Sequence, residues 1–278
     1  LSARHQGGRW LLRIDDLDRE RSIPGLADEF QSVLEAFGFE WDGTVRFQSV
    51  RTELYQDALA RLAAGGAAYA CRCSRSVLAV AQAADPALEP VYPGTCRGGN
   101  AAARDGPHAL RYAIAAGQAP VEFDDAFQGR YRQDCRREAG DFVIRRRDGQ
   151  AAYHLAVVVD DAEMGVTEVV RGADLLSSTP RQILLQRALR LPTPRYGHLP
   201  VLTEPDGRKL AKSRRAVPIA AGAASRQLWQ ALAWLEQAPP TELASAPVGE
   251  IWAWAIPNWK PGRIEGRRER RLAPAEAG

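Results

Sequence analysis

The chain has 278 residues, of which 45% are hydrophobic and 26% charged, and a formal net charge of +3. That length suits one large domain or two smaller ones, and the balance is that of an ordinary soluble globular protein. No apolar run reaches membrane-spanning length and no signal peptide is recognisable, so a membrane protein is excluded and a cytoplasmic setting is predicted. Bulk charge makes no case for nucleic acid: Trp259–Gly278 holds six Lys/Arg and three Asp/Glu, and the two signs balance elsewhere.

In chain order, "LSARHQGGRW" reads as the end of a helix, a Gly-Gly stop and the start of a strand. The chain does not begin with Met, so the sequence is expected to be a fragment that enters an element midway. "GRWLLRIDD" (8–16) suits a buried strand, being apolar between glycine and acids. Leu26, Phe30, Val33, Leu34 and Phe37 fall at helical spacing, with Gly38 as the stop. A second helix covers Thr52 to Ala64, and "AAYACRC" is a strand running into a cysteine pair.

Residues 109–132 hold two or three short strands and look like an inserted hairpin region. "DFVIRRRDGQAAYHLAVVVDD" (141–161) is a strand, an Asp-Gly turn and a second apolar segment. "GVTEVVRGADLL" is a strand and loop, and the helix from Thr179 to Arg190 has Pro180 where its missing N–H costs little. "RYGHLPVL" leads to the loop "GRKLAKS" (207–213), a helix covers Arg226 to Glu236, and the Arg-rich end after Pro261 is predicted to be disordered. Alternating helices and buried strands argue for an α/β protein with a small insert.

Four places carry chemistry. Cys71, Cys73 and Cys96, with Tyr92 between them, give three sulfurs and a phenol over 26 residues. Zinc takes four ligands in a tetrahedron, so the fourth position falls to Tyr92, water or a distant group such as His108; two free thiols in a buried strand are the plain alternative. The acids of "RIDDLDRER" (13–21) end an apolar strand, where open α/β sheets place ligands; they hold an ammonium group or cap a helix. Arg171 leaves a strand beside Gly172, placed either for a carboxylate ligand or for a salt bridge to Asp174 or Asp160. The lysines of "GRKLAKS" clamp a phosphate chain or sit on a solvated turn. Arg145–Arg147 and the 130–137 region are basic clusters of the kind that solvated faces also carry.

In this order, "RIDDLD", "FEWDG", "CRC…YPGTC", "YHLAVVVDD", "VTEVVRGADLL", "HLPVL" and "KLAKS" resemble the catalytic half of the glutamyl-tRNA synthetases, from Gly8 to Ser213. The short stretch after Ser213 and the Cys/Cys/Tyr/Cys cluster resemble their shorter relatives, the glutamyl-Q tRNA(Asp) synthetases. The resemblance implies a class I, Rossmann-like catalytic domain with an inserted zinc-containing subdomain. Its parts would be 1–70 and 141–213 for the catalytic domain, 71–140 for the insert, 214–260 for a helical region and 261–278 for a disordered tail.

By the same resemblance, glutamate is activated with ATP and Mg²⁺ and transferred to the queuosine base in the tRNA(Asp) anticodon. Lys209, Lys212 and Ser213 would bind ATP, with Lys212 stabilising charge during the reaction. Asp15, Tyr153 and Arg171 would hold L-glutamate, and structural zinc would sit on Cys71, Cys73, Tyr92 and Cys96. The family usually has Glu where this chain has Asp15. The first strand and the HIGH-type signature precede "SARHQGG" in the family, so the chain as given is expected to be inactive. A fragment of an ordinary glutamyl-tRNA synthetase, or a non-catalytic zinc-containing tRNA-binding paralogue, are the alternative readings.

Overall fold

A computed structural model describes residues 1–18, 23–73, 91–99, 106–210 and 219–272. Its helices are α1 (Ser2–His5), α2 (Leu26–Ala36), α3 (Thr52–Ala64), α4 (Cys135–Glu138), α5 (Tyr153–Glu163), α6 (Thr179–Leu189), α7 (Ala224–Trp234) and α8 (Val248–Asn258). Its strands are β1 (Arg13–Ile14), β2 (Arg46–Phe47), β3 (Ala68–Cys71), β4 (Ala109–Tyr112), β5 (Val121–Asp125) and β6 (Gly129–Gln133). They continue with β7 (Phe142–Arg145), β8 (Glu168–Gly172), β9 (Arg195–Leu199), β10 (Val201–Thr203) and β11 (Glu269–Arg271).

Two larger sheets organise the molecule. One has the order β6-β5-β9-β8, with β5 and β8 parallel to β9 and β6 antiparallel to β5. The other is antiparallel, in the order β3-β4-β7. The region 109–132, read as an inserted hairpin region, holds β4, β5 and most of β6. Its β5 joins the sheet that carries Arg171, because Asp125 pairs with Tyr196 of β9.

Helix α3 buries Tyr55, Ala58, Leu59 and Leu62, the i, i+3, i+4, i+7 face of a 3.6-residue repeat. That face meets Leu155, Ala156 and Val158 of α5 and Ile183, Leu184, Leu185 and Leu189 of α6 in the main core. Helix α6 is buried nearly all round; Gln182 Oε1 accepts from Arg171 and Gln186 Nε2 donates to the Tyr196 hydroxyl, while Gln182 Nε2 and Gln186 Oε1 make no hydrogen bond among the described residues. The apolar segment after the Asp-Gly turn at 148–149 is α5, whose start the bond from Ala152 N to Ile144 O ties back to β7.

A second core joins the two ends of the chain. Phe37 packs with Leu228 and Leu232 of α7 and Ile251 and Ala255 of α8. Gly38 ends α2 at φ +71, and a Cβ there would lie 2.6 Å from Val248 Cγ1, so only glycine fits this junction.

Two expectations need correction. The buried strand read at 8–16 is a two-residue strand, and residues 10–14 are half-buried. One edge of this stretch bonds residues 42–47, through Asp42 N to Trp10 O and Arg46 N to Leu12 O; side chains from 8–13 line a cavity. Nor is 261–272, the described part of the end read as disordered, without structure: β11 lies parallel to β10, and Ile264 and Leu272 are both 1% exposed. Two isolated apolar anchors among arginines hold this segment, a pattern that composition averages away.

Candidate active site

A cavity of about 770 Å³ opens between residues 8–13, one face of α5 and the edge strand β8. Trp10, Arg13, Tyr153, Asp161 and Arg171 contribute to its wall. Tyr153 is the first residue of α5 and is 42% exposed, its ring edge-on to His154 at 5.5 Å. Tyr153 and Arg171, two of the three residues expected to hold glutamate, thus share one cavity. The third, Asp15, is exposed and is not among the lining residues. It accepts from Arg13 Nε at 2.7 Å, while Arg13 Nη1 donates to Asp161 at 2.6 Å.

Among the described acids, Asp16 accepts from the backbone and hydroxyl of Ser49, and residues 15–18 are not helical; the rest of the motif lies outside the described residues. Arg13 and Asp161 went unnoticed as site residues although both lie in quoted motifs. The doubled acid ending "VVVDD" was the available signal. One of its members, Asp160, is fully buried and bound by Arg51, Gln48 and Tyr55. The other faces the cavity. Burial pushes the Asp161 carboxyl above its ordinary value, against the pull of the Arg13 charge.

Arg171 makes neither of the salt bridges weighed for it. Its Nε donates to His198 Nε2 at 3.1 Å, and its Nη2 donates to Thr179 Oγ1 at 2.8 Å and Gln182 Oε1 at 2.9 Å. Asp174 pairs instead with Lys209, Nζ to Oδ2 at 3.1 Å, tying the start of the lysine loop to the turn after β8. Lys212 and Ser213 lie outside the described residues.

The cysteine cluster is compact. Tyr92 Oη lies 3.4 Å from Cys71 Sγ and 3.6 Å from Cys73 Sγ, and Cys73 Sγ lies 3.6 Å from Cys96 Sγ. All three sulfurs fall within 4.8 Å of one another. A tetrahedral zinc with bonds of about 2.3 Å to sulfur sets its ligands roughly 3.8 Å apart, so these atoms fit a single ion with little movement. Arg111 lies 3.7 Å above the Tyr92 ring and donates to Cys71 Sγ at 3.3 Å. His108 is exposed and turned to the Gly106 carbonyl, outside this group. The arginines at 145–147 are engaged locally: Arg145 bonds the His108 carbonyl, Arg146 pairs with Asp18 and Asp148, and Arg147 caps the carbonyls of Arg72 and Cys73. No helix among the described residues is long and apolar enough to cross a membrane.

Comparison with known proteins places these features in a family. Residues 1–228 match the family model for the catalytic domain of class I tRNA synthetases (E and Q). The glutamyl-Q tRNA(Asp) synthetase of Chromobacterium violaceum is 51% identical over 95% of this chain and 87% of its own length. That of Ectopseudomonas mendocina is 50% identical over 99% of this chain and 90% of its own. In structure, the chain resembles the glutamate-tRNA synthetase of Elizabethkingia anophelis, with a TM-score of 0.76 at 20% identity. It aligns over 99% of its length and spans 63% of that protein. The fold is therefore the mixed α/β class I catalytic fold, and by sequence the chain belongs to the glutamyl-Q tRNA(Asp) synthetase family.

Proposed function

We propose that the protein activates glutamate with ATP and Mg²⁺ and transfers it to the queuosine base in the anticodon of tRNA(Asp), in the cytoplasm. The observation that carries this reading is Arg171. No carboxylate is among its described hydrogen-bond acceptors; Asp161, on the same cavity, feels its charge without contacting it, so the guanidinium is available to a substrate carboxylate. Tyr153 on the same wall supplies a hydroxyl beside it. At the other side of the cavity, Asp161 and the Asp15–Arg13 pair offer carboxylates to the substrate ammonium. Asp15 acts there through a bridging water or by exchanging its bond to Arg13.

Lys209, Lys212 and Ser213 are proposed to take the ATP phosphates, with Lys212 stabilising the charge that shifts to the leaving pyrophosphate. Residues 71–140 are proposed to hold a structural zinc on Cys71, Cys73, Tyr92 and Cys96. The ion would cross-link the segment 71–96, and a closed set of four ligands leaves no position for a reacting water. The RNA partner is proposed to be the anticodon stem-loop, whose single-stranded base can be splayed into the cavity.

The test gives the full-length protein labelled glutamate and ATP with two substrates: a queuosine-bearing stem-loop without a CCA end, and a whole tRNA(Asp) lacking queuosine. Label on the stem-loop alone supports the reading. Label that requires an intact CCA terminus and ignores queuosine replaces it with ordinary tRNA charging.

A further inference from the structure

Behind Arg171 lies a buried chain of three groups contributed by three strands. Asp125 ends β5, His198 lies in β9 and Arg171 in β8; the side chains of Asp125 and His198 are both 0% exposed. Asp125 Oδ1 accepts the backbone N–H groups of Phe127, Gln128 and His198, and its Oδ2 faces His198 Nδ1 at 2.5 Å. Burial opposes the Asp125 charge, but these bonds outweigh it and hold the carboxyl below its ordinary value. An ionised carboxylate only accepts, so the imidazole proton is on Nδ1. An arginine only donates, so Nε2 must present its lone pair to Arg171 Nε. The two demands agree on one tautomer of a neutral ring.

We infer that Asp125 and His198 are positioning residues: Asp125 fixes the tautomer of His198 so that its Nε2 orients Arg171 without cancelling its charge. A direct carboxylate partner would orient Arg171 equally well and neutralise it. The interposed imidazole keeps the negative charge of Asp125 one ring away and leaves the guanidinium cationic toward the cavity. Among the described residues, Arg171 Nη1 has no partner, which leaves it for the ligand. This inference rests on the reading of Arg171 as the glutamate carboxylate site.

The substitutions separate tautomer from bulk. In Asp125→Asn the amide oxygen keeps the three backbone donors and its NH₂ turns to Nδ1. The ring must then carry its proton on Nε2, against Arg171. His198→Gln places a carbonyl oxygen near the Nε2 position, whereas His198→Leu removes the acceptor.

The measurements are the glutamate and ATP KM in glutamate-dependent pyrophosphate exchange, and the tautomer of His198 by ¹⁵N NMR. The chain has four histidines, and the spectrum of His198→Gln assigns the one that disappears. Asp125→Asn and His198→Leu are expected to raise the glutamate KM on the order of tenfold, the loss of one charged hydrogen bond. Their ATP KM and kcat should stay within about twofold, and His198→Gln should recover most of the loss.

In the unsubstituted protein the His198 proton should be found on Nδ1, and in Asp125→Asn on Nε2. A wild-type proton on Nε2, or a His198→Leu variant with the glutamate KM of His198→Gln, overturns the inference. Should His198→Leu not fold, Asp125→Asn and His198→Gln decide the matter alone. An Arg171→Ala variant with unchanged glutamate KM would instead remove the reading of the site, while the tautomer result would still decide the Asp125–His198 relation.

Discussion

Arg13 Nη1 and Asp161 Oδ1 are 2.6 Å apart, joining the strand at the start of the chain to the end of α5 across the cavity floor. Arg13 holds Asp15 with a different nitrogen, so one planar fork sets two carboxylates. Arg13→Lys replaces that fork with a single point charge that can serve only one of them. The expected result is a glutamate KM raised on the order of tenfold with a smaller change in ATP KM. Equal effects on the two substrates would show that the pair only supports the fold.

Cys73→Ser is expected to release zinc and loosen the segment around β3, because a hydroxyl is a far weaker ligand than a thiolate. Elemental analysis of freshly purified protein before and after substitution checks this. Less than about one zinc per ten chains in the unsubstituted protein would remove the metal from the account.

Lys212→Ala should slow adenylate formation by roughly 10²–10³-fold and leave glutamate binding nearly unchanged, the pattern of a group that acts on transition-state charge. Pyrophosphate exchange gives the first quantity and calorimetry the second. An unchanged exchange rate would make the lysine loop a surface turn.

Asp161 on the cavity and Asp125 buried behind it set opposite pH dependences. Asp125 has a lowered folded-state pKa, so its stabilisation is present above the unfolded value of about 3.9 and is lost as pH falls through the folded value. Asp161 has a raised one, so its contribution is full below the unfolded value and is lost as pH rises through the folded value. The stability deficit of Asp125→Asn should therefore shrink toward acid. Asp161→Asn should gain on the unsubstituted protein as pH rises from acid toward neutral. Urea unfolding across that range reads both, and parallel curves would contradict the assigned directions.

Gly38→Ala is expected to cost roughly 1–3 kcal/mol, from a left-handed backbone and from overlap with Val248. Adding Val248→Ala should return the steric part only. Full recovery in the double variant would show that φ +71 is not strained for alanine there.

The elements that a local pattern determines were legible. Thr52–Ala64 was read to the residue, and Thr179 was read as the start of α6, because apolar spacing and an early proline are local signals. The cysteine cluster was legible for the same reason: 26 residues hold all of it. What escaped is what the sheet brings together. Arg171 and His198 are 27 residues apart and His198 and Asp125 are 73, and no periodicity connects them. "HLPVL" was quoted for its resemblance, with no role for its histidine. The short strands of 109–132 were legible, but their link to β9 was not, because it is a non-local parallel pair. The segment 261–272 looked disordered because arginines outnumber the two side chains, Ile264 and Leu272, that anchor it.

The parallel pairing of β10 with β11 has a temporal consequence. Strand β10 leads directly into the lysine loop, and its partner is made 68 residues later, Val201 against Glu269. During synthesis at roughly 5–20 residues per second, the base of that loop waits several seconds for its brace. Until 269–272 emerge from the ribosome, the nascent chain has the elements that line the Arg171 cavity in hand while β10, which leads into the lysine loop, still lacks its partner strand. The order of synthesis therefore completes the wall of the cavity before the brace of the loop.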